Sequence, residues 1–208
     1  MCGRYVVKNS VTKTSKLVKS AIQVEDTENF NAHPYQKLPV IKKYKNGKTL
    51  EALKWGLIPN WAKDKNFKAL INARLETIDE KVSFKKLVKN NRCVAVADGF
   101  YEWKREEQKK TPHYFFRKDS NPIFFAGIYE DDQFCLITEE AKENISEIHH
   151  RQPVIINQTD INRYLNLELQ GSVFLKECIK PDLIFYEVSK DVNKPTNNTA
   201  SLIQKISN

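Results

Sequence analysis

The chain has 208 residues, 40 % of them hydrophobic and 11 % aromatic, which is enough for one sizeable core, and a single domain is expected. Lys and Arg outnumber Asp and Glu by 34 to 26, a formal charge of +8 that favours a polyanionic partner such as nucleic acid over an acidic protein surface; a merely lysine-rich, solvated surface is the plainer alternative. No run approaches the roughly 18 apolar residues of a membrane span, and the first 30 residues lack the apolar core of a signal peptide, so a cytoplasmic protein without membrane contact is expected.

In chain order, "GRYVV", "KLPVIKKY", "TLEALKWGL", "RCVAVADGFYEW", "HYFFRK", "IFFAGIYE" and "FCLIT" read as strands. Asn46-Gly47 marks a two-residue hairpin turn, and "DSNP" and "EDDQ" mark turns between later strands. Helices are expected in "SVTKTSKLVKSA", in "SFKKLVKNN" behind Ser83, in "TEEAKENISEIHH" behind Thr138, in "TDINRYL" behind Thr159 and, more weakly, in "VFLKECI". "REEQKK" reads as an exposed charged loop, and the chain from Lys190 on is polar. Short strands without βαβ alternation imply an α+β fold that is β-rich, with residues 1–195 as the domain and 196–208 as a polar C-terminal tail.

Four cysteines, Cys2, Cys93, Cys135 and Cys178, are widely spaced without a CxxC pair, so neither a zinc pattern nor a disulfide framework is present. The last three sit in apolar stretches and read as buried small hydrophobes. Cys2 differs by position: once the initiator methionine is removed, it carries a free α-amine and a free thiol on one carbon.

Three internal stretches carry candidate chemistry. In "WGLIPNWAKD" and the following "INARLET", an extended second piece points Asn72 and Arg74 the same way, and the guanidinium suits phosphate while Trp55 and Trp61 suit unstacked bases or serve as core anchors. In "DGFYEWK" strand alternation puts Phe100 and Glu102 on one face and Tyr101 and Trp103 on the other; a poorly solvated Glu102 is a candidate general acid, against the commoner fate of a surface glutamate. In "EIHHRQPVII" His149 and His150 are expected at a helix C-terminus, which stabilises imidazolium, and Arg151 follows; neighbours on a helix diverge by about 100°, so a metal site is not expected.

The ordered pieces "MCGRY", "NAHPYQ", "WGLIPNWAKD", "NARLET", "RCVAVADGFYEWK", "PHYFF", "FAGIYE", "IHHRQPVI" and "VSKDVN" resemble the SOS-response-associated-peptidase family, proteins that sense abasic sites in single-stranded DNA by crosslinking to them. The resemblance covers roughly residues 1–195; Gln152 stands where the family usually has methionine, and His33 where it more often has a small residue. It implies barrel-like antiparallel sheets with peripheral helices and a basic groove leading to Cys2. It further implies Cys2 as nucleophile, Glu102 and His149 as its catalytic partners, and Arg4, Pro34, Trp61, Asn72, Arg74, Trp103 and Arg151 as DNA-binding residues. No cofactor or metal is implied, the partner is single-stranded DNA containing abasic sites, and the protein is expected to act as a monomer, nucleoid-associated on DNA damage. An N-terminal-nucleophile hydrolase, and a non-covalent reader of single-stranded DNA, are the rival readings.

Overall fold

The computed structural model describes residues 2–18, 21–22, 24, 28–45, 47–62, 66–107 and 109–206. Met1, and Asn46 of the expected hairpin turn, lie outside the described residues. In chain order the strands and helices are β1 (Tyr5–Val7), α1 (Ser10–Val18), β2 (Ala21–Ile22), β3 (Asn29–Ala32), β4 (Lys37–Tyr44), β5 (Gly47–Trp55) and β6 (Asn72–Arg74). There follow α2 (Leu87–Asn90), β7 (Arg92–Ala97), β8 (Gly99–Glu106), β9 (Lys109–Arg117), β10 (Ile123–Glu130), β11 (Gln133–Glu140) and α3 (Glu143–Ser146). The last are β12 (Arg151–Pro153), β13 (Ile155–Ile156), α4 (Ile161–Leu165), α5 (Gly171–Glu177) and β14 (Leu183–Glu187).

The larger sheet owes its shape to residue pattern. β7 and most of β10 are continuous apolar runs buried on both faces, so they occupy its middle. Pairing runs from β4 to β5, from β5 to β11, from β11 to β10, from β10 to β7 and from β7 back to β4, so these strands close a barrel-like circuit. Most neighbours are antiparallel, while β5 and β6 run parallel to β11. Closure encloses Trp55, Phe125 and Phe134 together with Tyr5 and Phe100 from the second sheet. That sheet has the order β14-β9-β8-β1-β3, and a smaller core of Val6, Tyr101, Tyr114, Val188, Val192 and Leu202 lies on its other face.

Three expectations change. "RCVAVADGFYEW" is two strands in different sheets, broken at Asp98 because its carboxylate accepts the N–H groups of Lys8, Asn9 and Ser10 at 2.6, 3.2 and 3.1 Å, capping α1. Gly99 follows because a Cβ there would fall 2.4 Å from the Tyr114 ring. The helix expected behind Thr138 is mostly strand: β11 runs to Glu140 because it pairs with β6 on one side and β12 on the other, leaving only the single turn of α3.

The polar stretch expected as a tail is packed through residue 206. Asn31 Nδ2 donates to the carbonyls of Val192, Lys194 and Asn197, the Asn198 side chain accepts the Phe30 N–H at 2.6 Å, and Leu202 is 1 % exposed. Its anchoring is mostly hydrogen bonding to backbone groups, with Leu202 and Ile203 supplying apolar contacts. Among the described residues no helix is long and apolar enough to cross a membrane.

Candidate active site

Residues preceding β1 run alongside β8. Tyr5 pairs with Phe100, and the Tyr101 N–H donates to the Arg4 carbonyl at 3.0 Å, so the same register carries Cys2 and Gly3 past Glu102 and Trp103. Cys2 is fully buried, and burial pushes its thiol well above the ordinary range, with the Glu102 charge acting in the same direction. The Asn72 amide donates to the Cys2 carbonyl at 3.0 Å and fixes the backbone of that residue.

Glu102 lies on the core-facing side of β8 with Phe100, while Tyr101 and Trp103 face the smaller core, as strand alternation requires. Its side chain is 2 % exposed, and burial raises its pKa to about 7. His149 Nε2 is 4.0 Å from Glu102 Oε2. Burial drives His149 down to about 4, and the neighbouring His150 and Arg105 charges push the same way. The helix-end stabilisation expected for this histidine is absent, since α3 stops at Ser146 and His149 sits in the link to β12. Its Nδ1 lies 3.0 Å from the Arg151 N–H and 3.1 Å from the Arg151 carbonyl, so backbone atoms serve the ring whether Nδ1 accepts or donates. Near neutrality the site therefore pairs a half-protonated carboxyl with a neutral imidazole, a division of labour suited to proton transfer.

The sign of the Glu102 shift has a consequence for stability. Below the ordinary value of 4.5 both folded and unfolded states hold the proton; between 4.5 and about 7 only the folded state does, so stability falls as pH rises through that window and stays low above it. Glu102→Gln removes this cost and is expected to stabilise the fold at pH 8 by roughly 3 kcal/mol, shrinking to under about 1 kcal/mol at pH 5. Urea unfolding of both proteins at the two pH values measures it, and an equal effect at both would contradict the assignment.

Asn72 and Arg74 are both on β6, whose parallel pairing with β11 sets their common direction. Among the described residues the buried Asn72 Oδ1 has no hydrogen-bond partner, and Arg74 is exposed. Arg151, placed with the DNA-binding residues from sequence, is mostly buried and held in a two-pronged pair with Glu76 at 2.7 and 3.0 Å, with a further bond to the Thr138 carbonyl at 2.8 Å. These bonds anchor the strand that follows His149. Arg151→Ala is expected to cost roughly 2–4 kcal/mol of stability, measured by urea unfolding; an unchanged midpoint would contradict a structural load on this residue.

The remaining sequence candidates are spread around this centre. Trp103 is half-buried, its indole N–H donating to Asn193 Oδ1 at 2.7 Å and its ring covered by Lys110. Trp61 is 51 % exposed and meets Phe67 edge-on, whereas Trp55 is a core anchor bonded to the Ile71 carbonyl. Pro34 is partly exposed in the turn between β3 and β4. Arg4 donates to Asn31 Oδ1 and the Val192 carbonyl, both at 2.8 Å, and so binds the C-terminal segment to β3. Asn193 received no role from the sequence, although "VSKDVN" contains it; its link to Trp103 crosses 90 residues and leaves no local signal.

An open cavity of about 510 Å³ lies over this region, lined by Arg74, Trp103, Arg105, Ser146, Ile148, His149, His150 and Arg151. His149 belongs both to its lining and to the contact with Glu102, so it links the cavity to the buried Glu102 and Cys2. Among the described residues no group of three or more His, Cys, Asp or Glu is arranged to hold a metal ion.

Known proteins share this arrangement of chain and fold. The chain is 34 % identical to the abasic site processing protein YoqW of Bacillus subtilis, covering 98 % of this chain and 99 % of that one. It is 30 % identical to the abasic site processing protein YedK of Escherichia coli, covering 99 % and 100 %. The fold matches a crystal structure of a Bacteroides thetaiotaomicron protein with a TM-score of 0.83 at 22 % identity over the whole of both chains, and one of a phage-related protein of Bordetella bronchiseptica with a TM-score of 0.75 at 22 % identity over 91 % and 95 %. Residues 1–195 match the family described as SOS response associated peptidase, and the chain belongs to that family.

Proposed function

We propose that this protein captures abasic sites in single-stranded DNA as a covalent crosslink through the α-amine and thiol of Cys2, after Met1 has been removed. The observation that carries the reading is the convergence of Cys2, a carboxyl raised to about 7 and a neutral imidazole beside an open cavity bearing Arg74 and Arg105. The relatives' name, abasic site processing protein, supports the same substrate.

An abasic deoxyribose is mostly a closed hemiacetal, with a small fraction of open aldehyde. Glu102, half-protonated near pH 7, gives a proton to the ring oxygen as the ring opens, and neutral His149 accepts one from the anomeric hydroxyl. The Cys2 amine, with a reference pKa of roughly 7.7–8.0, then adds to C1′. The resulting carbinolamine loses water to give a Schiff base. The Cys2 sulfur attacks the same carbon, its proton passes to nitrogen, and a five-membered thiazolidine closes; the net change is one C–N bond and one C–S bond formed with one water released. Asn72 Oδ1, buried and without a hydrogen-bond partner among the described residues, accepts a sugar hydroxyl in this reading, and Arg74 meets a phosphate. Ring closure consumes the Schiff base before β-elimination breaks the strand, so the site is shielded during repair.

The test is incubation of the Met1-processed protein with a single-stranded oligonucleotide carrying one abasic site, followed by a denaturing gel. A shifted band that is absent with the undamaged oligonucleotide is expected. No band contradicts the proposal, and Cys2-dependent peptide cleavage without a band would favour a hydrolase. Self-removal of Met1 by the same thiol belongs to this proposal and is read from the intact mass of freshly made protein.

A further inference from the structure

Of the cations that line the cavity beside His149, the reaction above gives a contact to Arg74 alone. Arg151 is committed to Glu76 and Thr138, and Arg4 to Asn31 and Val192, so neither has its full set of donors available for DNA. Arg74 and Arg105 differ: both are exposed, both line the cavity, and among the described residues neither guanidinium has a hydrogen-bond or ion-pair partner. His150 lines it as well, its ring stacked on His149 with centroids 4.4 Å apart. Among the described residues the lining includes no Asp or Glu. Two guanidiniums in one concavity without a carboxylate among the described lining residues repel each other until an anion arrives, the His150 ring can donate an N–H to that anion, and the half-buried Trp103 beside them offers an aromatic wall.

We infer that Arg105, with Arg74 and His150, forms a phosphate subsite that holds the phosphodiester of the nucleotide next to the reacting sugar. This deepens the proposed function and rests on it for the identity of the strand. Arg105 lies two residues beyond Trp103 at the end of β8, so one short strand segment supplies both the aromatic surface and the cation for a single neighbouring nucleotide. The arrangement also bears on chemistry: burial holds down the basicity of His149 and the Arg105 charge adds to that, so a phosphate bound at Arg105 relieves the second part as substrate enters. Arg105 is thus a positioning residue for the strand, set apart from the groups that touch the reacting carbon.

Fluorescence anisotropy with an undamaged single-stranded oligonucleotide tests this independently of any adduct, with wild type, Arg105→Gln, Arg105→Lys and a Lys85→Gln control that removes the same charge beside α2, away from the cavity lining. Arg105→Gln is expected to weaken binding roughly fivefold at moderate salt and to reduce the slope of log K against log salt by about 0.7, the value of one phosphate on a single strand. Arg105→Lys restores the slope, and the control leaves it unchanged. In the crosslinking reaction, one neutral methylphosphonate placed in turn at each phosphate flanking the abasic site should slow wild type at one position and add nothing to Arg105→Gln there. An Arg105→Gln slope equal to wild type, or additive losses at every methylphosphonate position, overturns the subsite. Absence of any adduct with wild type overturns the proposed reaction alone, because the anisotropy still reads the subsite.

Discussion

Cys2→Ala is expected to abolish the stable DNA adduct, lowering the yield on a denaturing gel by more than about a hundredfold. The substitution keeps the α-amine, so a Schiff base can still form, but no sulfur is present to close the ring and the imine hydrolyses when the protein is denatured. Cys2→Ser should behave similarly, since a hydroxyl is a far poorer second nucleophile. Borohydride added during the reaction traps the imine and should reveal a reduced adduct with both variants. The buried thiol is protonated until it reacts, so ring closure needs a proton acceptor close by; the imine nitrogen it generates is that acceptor. A gel-stable band of wild-type intensity with Cys2→Ala would contradict the role of sulfur outright.

Glu102→Gln is expected to slow adduct formation by roughly 10²–10³ and to change the shape of its pH dependence. In wild type the rate rises as the amine loses its proton, near a reference value of roughly 7.7–8.0, and falls as Glu102 loses the proton it donates, near about 7. The product is a bell centred between the two. Removing the carboxyl leaves the amine limb only, so the residual rate of Glu102→Gln should climb through pH 8 to a plateau. Single-turnover rates between pH 5.5 and 9.5 measure this; a bell with both limbs intact in the variant would place the acid elsewhere. The gain in stability expected for the same variant at pH 8 separates a working site from a misfolded one.

Much of the fold was legible because burial leaves a periodic trace. The runs "KLPVIKKY" and "IFFAGIYE" became β4 and β10 with their expected bounds, and the alternation in "GFYEW" correctly divided Phe100 and Glu102 from Tyr101 and Trp103. What was hidden depends on distant partners. Nothing near Asp98 announces that its carboxylate caps a helix 88 residues away, and nothing near Thr138 announces that Asn72–Arg74 and Arg151–Pro153 extend β11 on both sides. At the site, Arg151, a DNA-binding residue by the family resemblance, also pairs with Glu76, 75 residues away, which nothing near it in the chain announces. His149 was placed at a helix end that the structure lacks, and its basicity is set instead by burial. Cys2 and Glu102 stood out as candidates from position and pattern, whereas the partners of the cations that surround them required three dimensions to sort.

The proposed crosslink bonds one carbon of the sugar to both the nitrogen and the sulfur of Cys2. Mass spectrometry of the digested crosslink after treatment with iodoacetamide tests it most directly. The expected product is an N-terminal peptide beginning at Cys2 whose mass is the sum of peptide and sugar fragment less one water, with no alkylation of that cysteine, and no such species when the amine is acetylated beforehand. A crosslinked peptide in which Cys2 is alkylated, or in which Met1 is still attached, would contradict it.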